Sequence, residues 1–254
     1  MLTLLQEVAE EVINPRFRSL DDDQITEKNP GDLVTVADRE AEVLITAALQ
    51  AAYPDALILG EEATHADETL VDRYSAAEHA FTVDPVDGTK NFVNGSPDHA
   101  VMLAEVVDGV TTRGWIWQPE HQQALVAELG RGVRRNGELL RRDPAGEHPQ
   151  GATSIWSRRG RQPDGLPRLI GSWVCCGVDY PKLIEGAADY LLYGHTNPWD
   201  HLPGTMMVAE AGGASAHKDA TAYSARSTSA GLVVAADPET LQRAIAASAD
   251  LWPR

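Results

Sequence analysis

Near the start of the chain Leu5, Val8 and Val12 recur at helical spacing. They predict a helix from Leu2 to about Phe17, ended or kinked by Pro15. The polar stretch TEKNPGDL, Thr26 to Leu33, carries Pro30 and Gly31 and reads as a loop. A second amphipathic helix is expected from about Val36 to Ala52, closed by Pro54. ALILG (56–60) and AFTVDP (80–85) are short apolar runs of the buried-strand kind. From His99 to Leu129, apolar runs broken at Asp108-Gly109 and Gln118-Pro119 predict an antiparallel meander. RRDPAGEHPQG (141–151) is the best candidate linker. Beyond it strand-like and helix-like runs alternate: TSIWS, a helix through IEGAADYLL, then HLPGTMMVAEAGG, GLVVAA, and a helix from about Pro238 to Ser248. Such alternation favours an α/β half.

Composition narrows the class. With 254 residues and 43% apolar content the chain can build one large domain or two closely packed halves. A formal net charge of -17 argues against a general nucleic-acid binder, which needs a basic footprint. The two cysteines, Cys175 and Cys176, are adjacent and read as small buried apolar residues. The start, MLTLLQEVAEEV, is acidic where a signal peptide is basic, and no apolar run approaches the roughly 20 residues of a membrane span. A soluble cytoplasmic protein is expected.

Four local signals carry chemistry. The strongest is DPVDGT, Asp84 to Thr89, after an apolar strand. A turn around Pro85 can aim Asp84, Asp87 and an intervening carbonyl at one point, the oxygen donors that hard cations take. If Gly88 and Thr89 open a helix, its free N–H groups can hold a phosphate at the same place. The plainer reading is an Asp-Pro and Asp-Gly turn. The second signal is Gly60-Glu61-Glu62, directly after a strand. The third is DLVTVAD, Asp32 to Asp38, where Thr35 and Asp38 equally resemble a helix capping box. The fourth is PWD, Pro198 to Asp200, where the plainer reading of Asp200 is a helix N-cap.

Taken together and in order, DLVTVAD, GEE, DPVDGTKNF, and PWD with a downstream AEAGG resemble the inositol monophosphatase family of metal-dependent phosphatases. The resemblance covers about residues 28–213. It implies an α/β fold, a layered αβαβα sandwich. The whole chain, 1–254, would form one such domain, with an α+β half of about 1–143 and an α/β half of 144–254. It implies two or three Mg2+ ions. Glu61, Asp84 and the Val86 carbonyl would hold one; Asp84, Asp87 and Asp200 a second. Glu61 would also help position a weaker third, and Glu62 would tune the site. Asp38 and Thr89 would orient and deprotonate the attacking water, Gly88 and Thr89 N–H groups would bind phosphate, and Lys28 would close over the site from its loop. Lithium sensitivity and a homodimer are further implications.

The chain departs from the inositol-specific members at the sugar pocket. Six positions before Trp199, where those members carry an acid, stands Tyr193. Gly171-Ser172 is followed by Trp173 in place of a small residue. Inositol 1-phosphate is therefore not expected to be strongly preferred. Histidinol-phosphate, nucleotide 3'-phosphate and fructose-bisphosphate phosphatases are rivals within the class. A regulatory or interaction protein that keeps the phosphatase fold is the rival outside it, opposed by the intact acidic positions.

Overall fold

The computed structural model describes residues 1–227 and 229–252. Helix α1 (Leu2–Val8) runs on through a π-helical turn at Ala9–Ile13 and ends in a tight turn containing Pro15. A hairpin follows, β1 (Ile25–Asn29) and β2 (Asp32–Thr35), then α2 (Val36–Ala52). Next come β3 (Leu57–Gly60), α3 (Glu61–Ala66), α4 (Thr69–Ala76), β4 (His79–Asp87) and α5 (Thr89–Val93). The meander is β5 (Ala100–Val107), β6 (Val110–Gln118), β7 (Gln123–Glu128), β8 (Val133–Arg135) and β9 (Glu138–Leu140). The remainder is β10 (Gly151–Thr153), β11 (Ile170–Gly171), α6 (Cys176–Ile184), β12 (Tyr190–Tyr193), α7 (Pro198–Glu210), β13 (Ala214–His217), β14 (Leu232–Ala235) and α8 (Pro238–Ala247).

Strands β3 to β9 form one seven-stranded sheet in sequential order, antiparallel except for the parallel β3–β4 pair. The other five-stranded sheet has the order β11-β10-β12-β14-β13 and mixes parallel with antiparallel pairs. Alternation along each strand divides its side chains between two layers. Leu103 of β5 joins Leu5, Ile45 and Leu49 of α1 and α2, while its neighbour Met102 joins Tyr180 of α6 and Met207 of α7. On β12, Leu191 faces α6 and α7, and Leu192 faces Leu241 and Ala244 of α8. The layers are therefore α1/α2, sheet, α6/α7, sheet, α8: the αβαβα sandwich. Gly204 lets the middle layer close, because a Cβ there would come within 1.9 Å of the Tyr180 ring. No helix among the described residues is long and apolar enough to cross a membrane.

Three local expectations are corrected. Thr26 to Leu33 is not a loop but most of the β1–β2 hairpin, turned by Pro30 and by Gly31 at φ 83°. Its strands are polar because both faces lie near the surface, so period 2 leaves no trace in the sequence. The helix expected through residues 184–192 ends at Ile184, and Gly186 (φ 86°) follows. Tyr190–Tyr193 is instead a fully buried strand, a short apolar run whose period cannot reveal its type. Strand β4 does not stop at Pro85 but runs to Asp87.

Candidate metal centre

Two residues three apart on a regular strand face opposite sides of a sheet. Asp84 and Asp87 escape this through a bulge. Asp84 lies opposite Met102 and Asp87 opposite Ala100, so Pro85 and Val86 together face one residue of β5. Proline fits a bulge because no ladder N–H is needed there. The Val86 N–H donates to Asp84 Oδ1 at 3.1 Å and fixes that carboxylate. Asp87 Oδ2 accepts from the Gly177 N–H at 2.5 Å and from Cys175 Sγ at 2.9 Å, both at the start of α6.

The third carboxylate comes from the far half of the chain. Asp200 is the third residue of α7, after Pro198 at the first position. It is not the N-cap; Asn197 is, and its Nδ2 donates to Asp200 Oδ2 at 3.0 Å. One carboxylate oxygen each from Asp84, Asp87 and Asp200 lies within 4.8 Å of the others.

Asp38 serves both readings of its motif at once. Its Oδ2 accepts from the Thr35 N–H (2.9 Å) and hydroxyl (2.5 Å), closing the capping box of α2. Its Oδ1 accepts from the Thr89 hydroxyl at 3.0 Å. Thr89 Oγ1 also lies 3.0 Å from the Val86 carbonyl, and one hydroxyl proton can serve only one of these acceptors at a time. Burial pushes the Asp38 carboxyl up to about 6 against the hydrogen bonds from Thr35.

Glu61 and Glu62 are the first residues of α3, and Lys28 of β1 bonds both, at 2.5 and 2.8 Å. Lys28 thus sits on a strand, buried and already engaged. Burial opposes its charge, but the two carboxylates hold its pKa above the ordinary lysine value. A residue with no sequence signal, Glu42 of α2, accepts from the Glu62 and Ala63 N–H groups at 2.7 and 2.8 Å. It caps α3 from another helix and so aims Glu61. Gly60 makes this possible, since a Cβ there would come within 2.3 Å of Glu42 Cδ.

A cavity of about 430 Å³ collects these groups: Lys28, Glu61, Asp84, Val86, Asp87, Gly88, Thr89 and Asp200 all line it. Asp38 reaches it only through Thr89. Gly88 needs its left-handed φ of 81°, and a Cβ there would meet Cys175 Cβ at 2.9 Å. Burial raises the carboxyls of Glu61, Asp84, Asp87 and Asp200 above the ordinary range, and their mutual repulsion adds to this. Buried carboxylates of one sign need protons or a cation. An all-oxygen donor set fits a hard divalent ion rather than a thiophilic one.

A second cavity, of about 210 Å³, adjoins the first and shares Asp87 and Asp200 with it. Ser172 and Tyr193 line it; Trp173 does not. The Trp173 side chain packs against the core of the middle layer, and its carbonyl accepts from Asn91 Nδ2 at 2.9 Å. The wall next to Asp87 is made instead by Val174, Cys175 and Cys176 where α6 begins. Cys175 is buried as expected, yet its thiol is bonded to Asp87. Asp179, also unsignalled, lines the same wall and accepts from Tyr193 Oη at 3.1 Å and from the Trp173 N–H at 2.6 Å.

A layered αβαβα sandwich with a cluster of buried carboxylates has the makings of an α/β protein that binds a divalent metal. The inositol monophosphatase family model matches residues 2–252, and the chain belongs to that family, whose members are phosphatases. The chain is 30% identical over 198 residues to the fructose-1,6-bisphosphatase/inositol-1-monophosphatase of Thermotoga maritima, covering 74% of this chain and 73% of that one. It is 31% identical over 220 residues to the Nus factor SuhB of Pseudomonas aeruginosa, covering 81% and 79%. Among solved structures, an IMPase of Thermotoga maritima superposes with a TM-score of 0.78 at 25% identity, over 96% of this chain and 94% of that one.

Proposed function

We propose that this chain is a magnesium-dependent phosphomonoesterase of small phosphorylated metabolites. The observation that carries the reading is the convergence of Asp84, Asp87 and Asp200 within 4.8 Å, in a cavity that also holds Thr89. Asp84 and Asp87 with Asp200 would hold one magnesium ion, and Glu61 with Asp84 and the Val86 carbonyl another. Magnesium bound there supplies Lewis-acid charge to phosphoryl oxygens and makes water easier to deprotonate. Glu61 reaches this role only by exchanging Lys28 for the ion.

The remaining work falls to the chain's own groups. Thr89 Oγ1 accepts the proton of the attacking water while passing its own toward Asp38 Oδ1. Asp38 is suited to receive it, because burial raises its proton affinity toward neutrality. The N–H groups of Gly88 and Thr89, where α5 begins, hold the phosphoryl oxygens. Such positioning and charge stabilisation are what phosphoryl transfer mainly needs.

The test is phosphate release from p-nitrophenyl phosphate and a panel of metabolite monophosphates, with magnesium, with calcium, and with magnesium plus lithium. Activity with magnesium, and its loss with calcium or lithium, is expected, since calcium does not keep tight octahedral geometry. A stable, folded chain that releases no phosphate under any of these conditions would end the enzymatic reading.

A further inference from the structure

The second cavity starts at Asp87 and Asp200, the carboxylates assigned an ion above, so it adjoins the phosphoryl site and offers room for the alcohol portion of the substrate. Its carboxylates are Asp87, Asp179 and Asp200. Asp179 is buried, 1% exposed, with its two oxygens turned to Tyr193 Oη and the Trp173 N–H. Ser172 hydrogen-bonds to the same carboxylate, which leaves one of its four lone pairs to accept from a hydroxyl or ammonium group. Ser172, Tyr193 and the Cys176 thiol add neutral polar atoms. No lysine or arginine is among the described residues that line it; its basic groups are His195 and His201, and burial lowers His201 to about 3, so that it stays neutral. Arg159, beside Gly171, lies over the Trp156 ring instead, 4.1 Å from its centroid. Lys28 lines the neighbouring cavity and not this one, and it keeps Glu62 at 2.8 Å when Glu61 turns to the ion.

Taking the site as the phosphatase centre proposed above, we infer that this cavity selects monophosphates of neutral or cationic alcohols and rejects alcohols bearing a second phosphate or a carboxylate. Asp179 is its specificity-determining residue. The acid absent from position 193 is supplied from the facing helix α6 and is oriented by the tyrosine that replaced it. An anionic substituent on the Asp179 side of the cavity, away from the ion assigned to Asp87 and Asp200, meets a buried carboxylate and no lysine or arginine, and like-charge juxtaposition of this kind is unfavourable. A hydroxyl or ammonium group finds an acceptor.

The experiment uses matched pairs with magnesium at pH 8, above the about 7 to which burial raises Asp179. Glycerol 2-phosphate is compared with 2-phosphoglycerate, which carries a carboxylate where the former has a hydroxymethyl group. Fructose 1-phosphate is compared with fructose 1,6-bisphosphate. In each pair the neutral alcohol should have the larger kcat/KM by at least about tenfold, the ratio set by one unfavourable charge contact. Asp179→Asn should shrink both ratios, mainly by lowering KM for the anionic member. Val174→Lys places a cation at the mouth and should shrink them too. Val174 is 42% exposed and sits at φ 61°, a backbone that a β-branched residue adopts poorly, so lysine is tolerated there even if Asp179→Asn does not fold. Equal kcat/KM within both pairs overturns the inference, as do ratios unchanged in both variants, which would trace the selection to the overall negative charge instead. Hydrolysis of none of these, nor of p-nitrophenyl phosphate, removes the phosphatase reading itself.

Discussion

The two cavities that meet at Asp87 and Asp200 are built by different means. In the first, most functional groups come from short motifs in which one local device places two residues at once. The bulge of β4 aligns Asp84 with Asp87, and the capping box of α2 fixes Asp38 beside Thr35. In the second, each wall comes from a different element: Asp179 from α6, Tyr193 from β12, Ser172 from the end of β11. The first cavity is therefore suited to chemistry that does not vary. The second can change residue by residue without disturbing the acidic cluster, which is why the proposed selectivity is assigned to it.

The largest expected effect tests that separation at its shared residue. Asp87→Asn removes a proposed direct ligand and should reduce kcat by more than the roughly 10- to 100-fold of a lost outer group, for every substrate alike. Near-normal turnover at saturating magnesium would mean that the first cavity is not the reaction centre. Thr89→Ala comes next. It should lower kcat by on the order of 100-fold, the contribution of a positioned proton acceptor, while leaving the magnesium dependence nearly unchanged. A shift confined to the magnesium requirement would instead make Thr89 part of the ion-binding set.

A smaller effect is expected where one element supports another. Glu42→Ala leaves the first N–H groups of α3 without their acceptor. It should cost about 1 kcal/mol of stability, as other lost helix caps do, and weaken magnesium binding by roughly tenfold. Chemical denaturation and magnesium titration of the same variant measure both. An unchanged magnesium affinity would show that Glu61 is aimed without help from Glu42.

The smallest effect is on stability against pH without added metal. Burial raises Asp38 to about 6 and Glu42 and Asp179 to about 7, while unfolded carboxyls titrate near 4. Between about pH 4 and 7 the folded chain therefore binds more protons than the unfolded one. These groups favour folding at the acidic end of that window, and the contribution is lost as pH rises through it. Thermal unfolding with a chelator present should show Tm falling from pH 5.5 to 8. Magnesium should raise Tm more at pH 8 than at pH 5.5, where the cluster carboxyls compete for protons. A chelated protein equally stable at both pH values would contradict the burial of these acids.

Much of the first cavity was legible in the sequence. Asp84, Asp87, Thr89 and Asp200 stand in motifs whose spacing states their chemistry, and all four line one cavity. The capping and catalytic readings of Asp38 looked like alternatives because a sequence shows only Thr35 nearby; Thr89, 51 residues away, takes the other carboxylate oxygen. Lys28 was placed on a loop because a two-sided polar hairpin has no hydrophobic period. Trp173 was placed in the pocket by counting from Gly171, but the chain passes Ser172 and turns through Val174 before α6 begins, so the tryptophan faces the core.

The amino-acid sequence by itself determined the αβαβα architecture, through the family it resembles, and the acidic positions of the site, because strand, bulge and helix start are each encoded within a few residues. Only the tertiary structure decided that Glu42 caps α3, that Cys175 and Gly177 hold Asp87, and that Asp179 faces Tyr193. These contacts join residues 14 to 90 positions apart. No local pattern encodes such a pair, because each partner satisfies its own helix or strand equally well without the other. Packing brings them together: the middle layer seats α6 against β4 and β12, and Gly60 and Gly88 leave room for Glu42 and Cys175 from elsewhere in the chain.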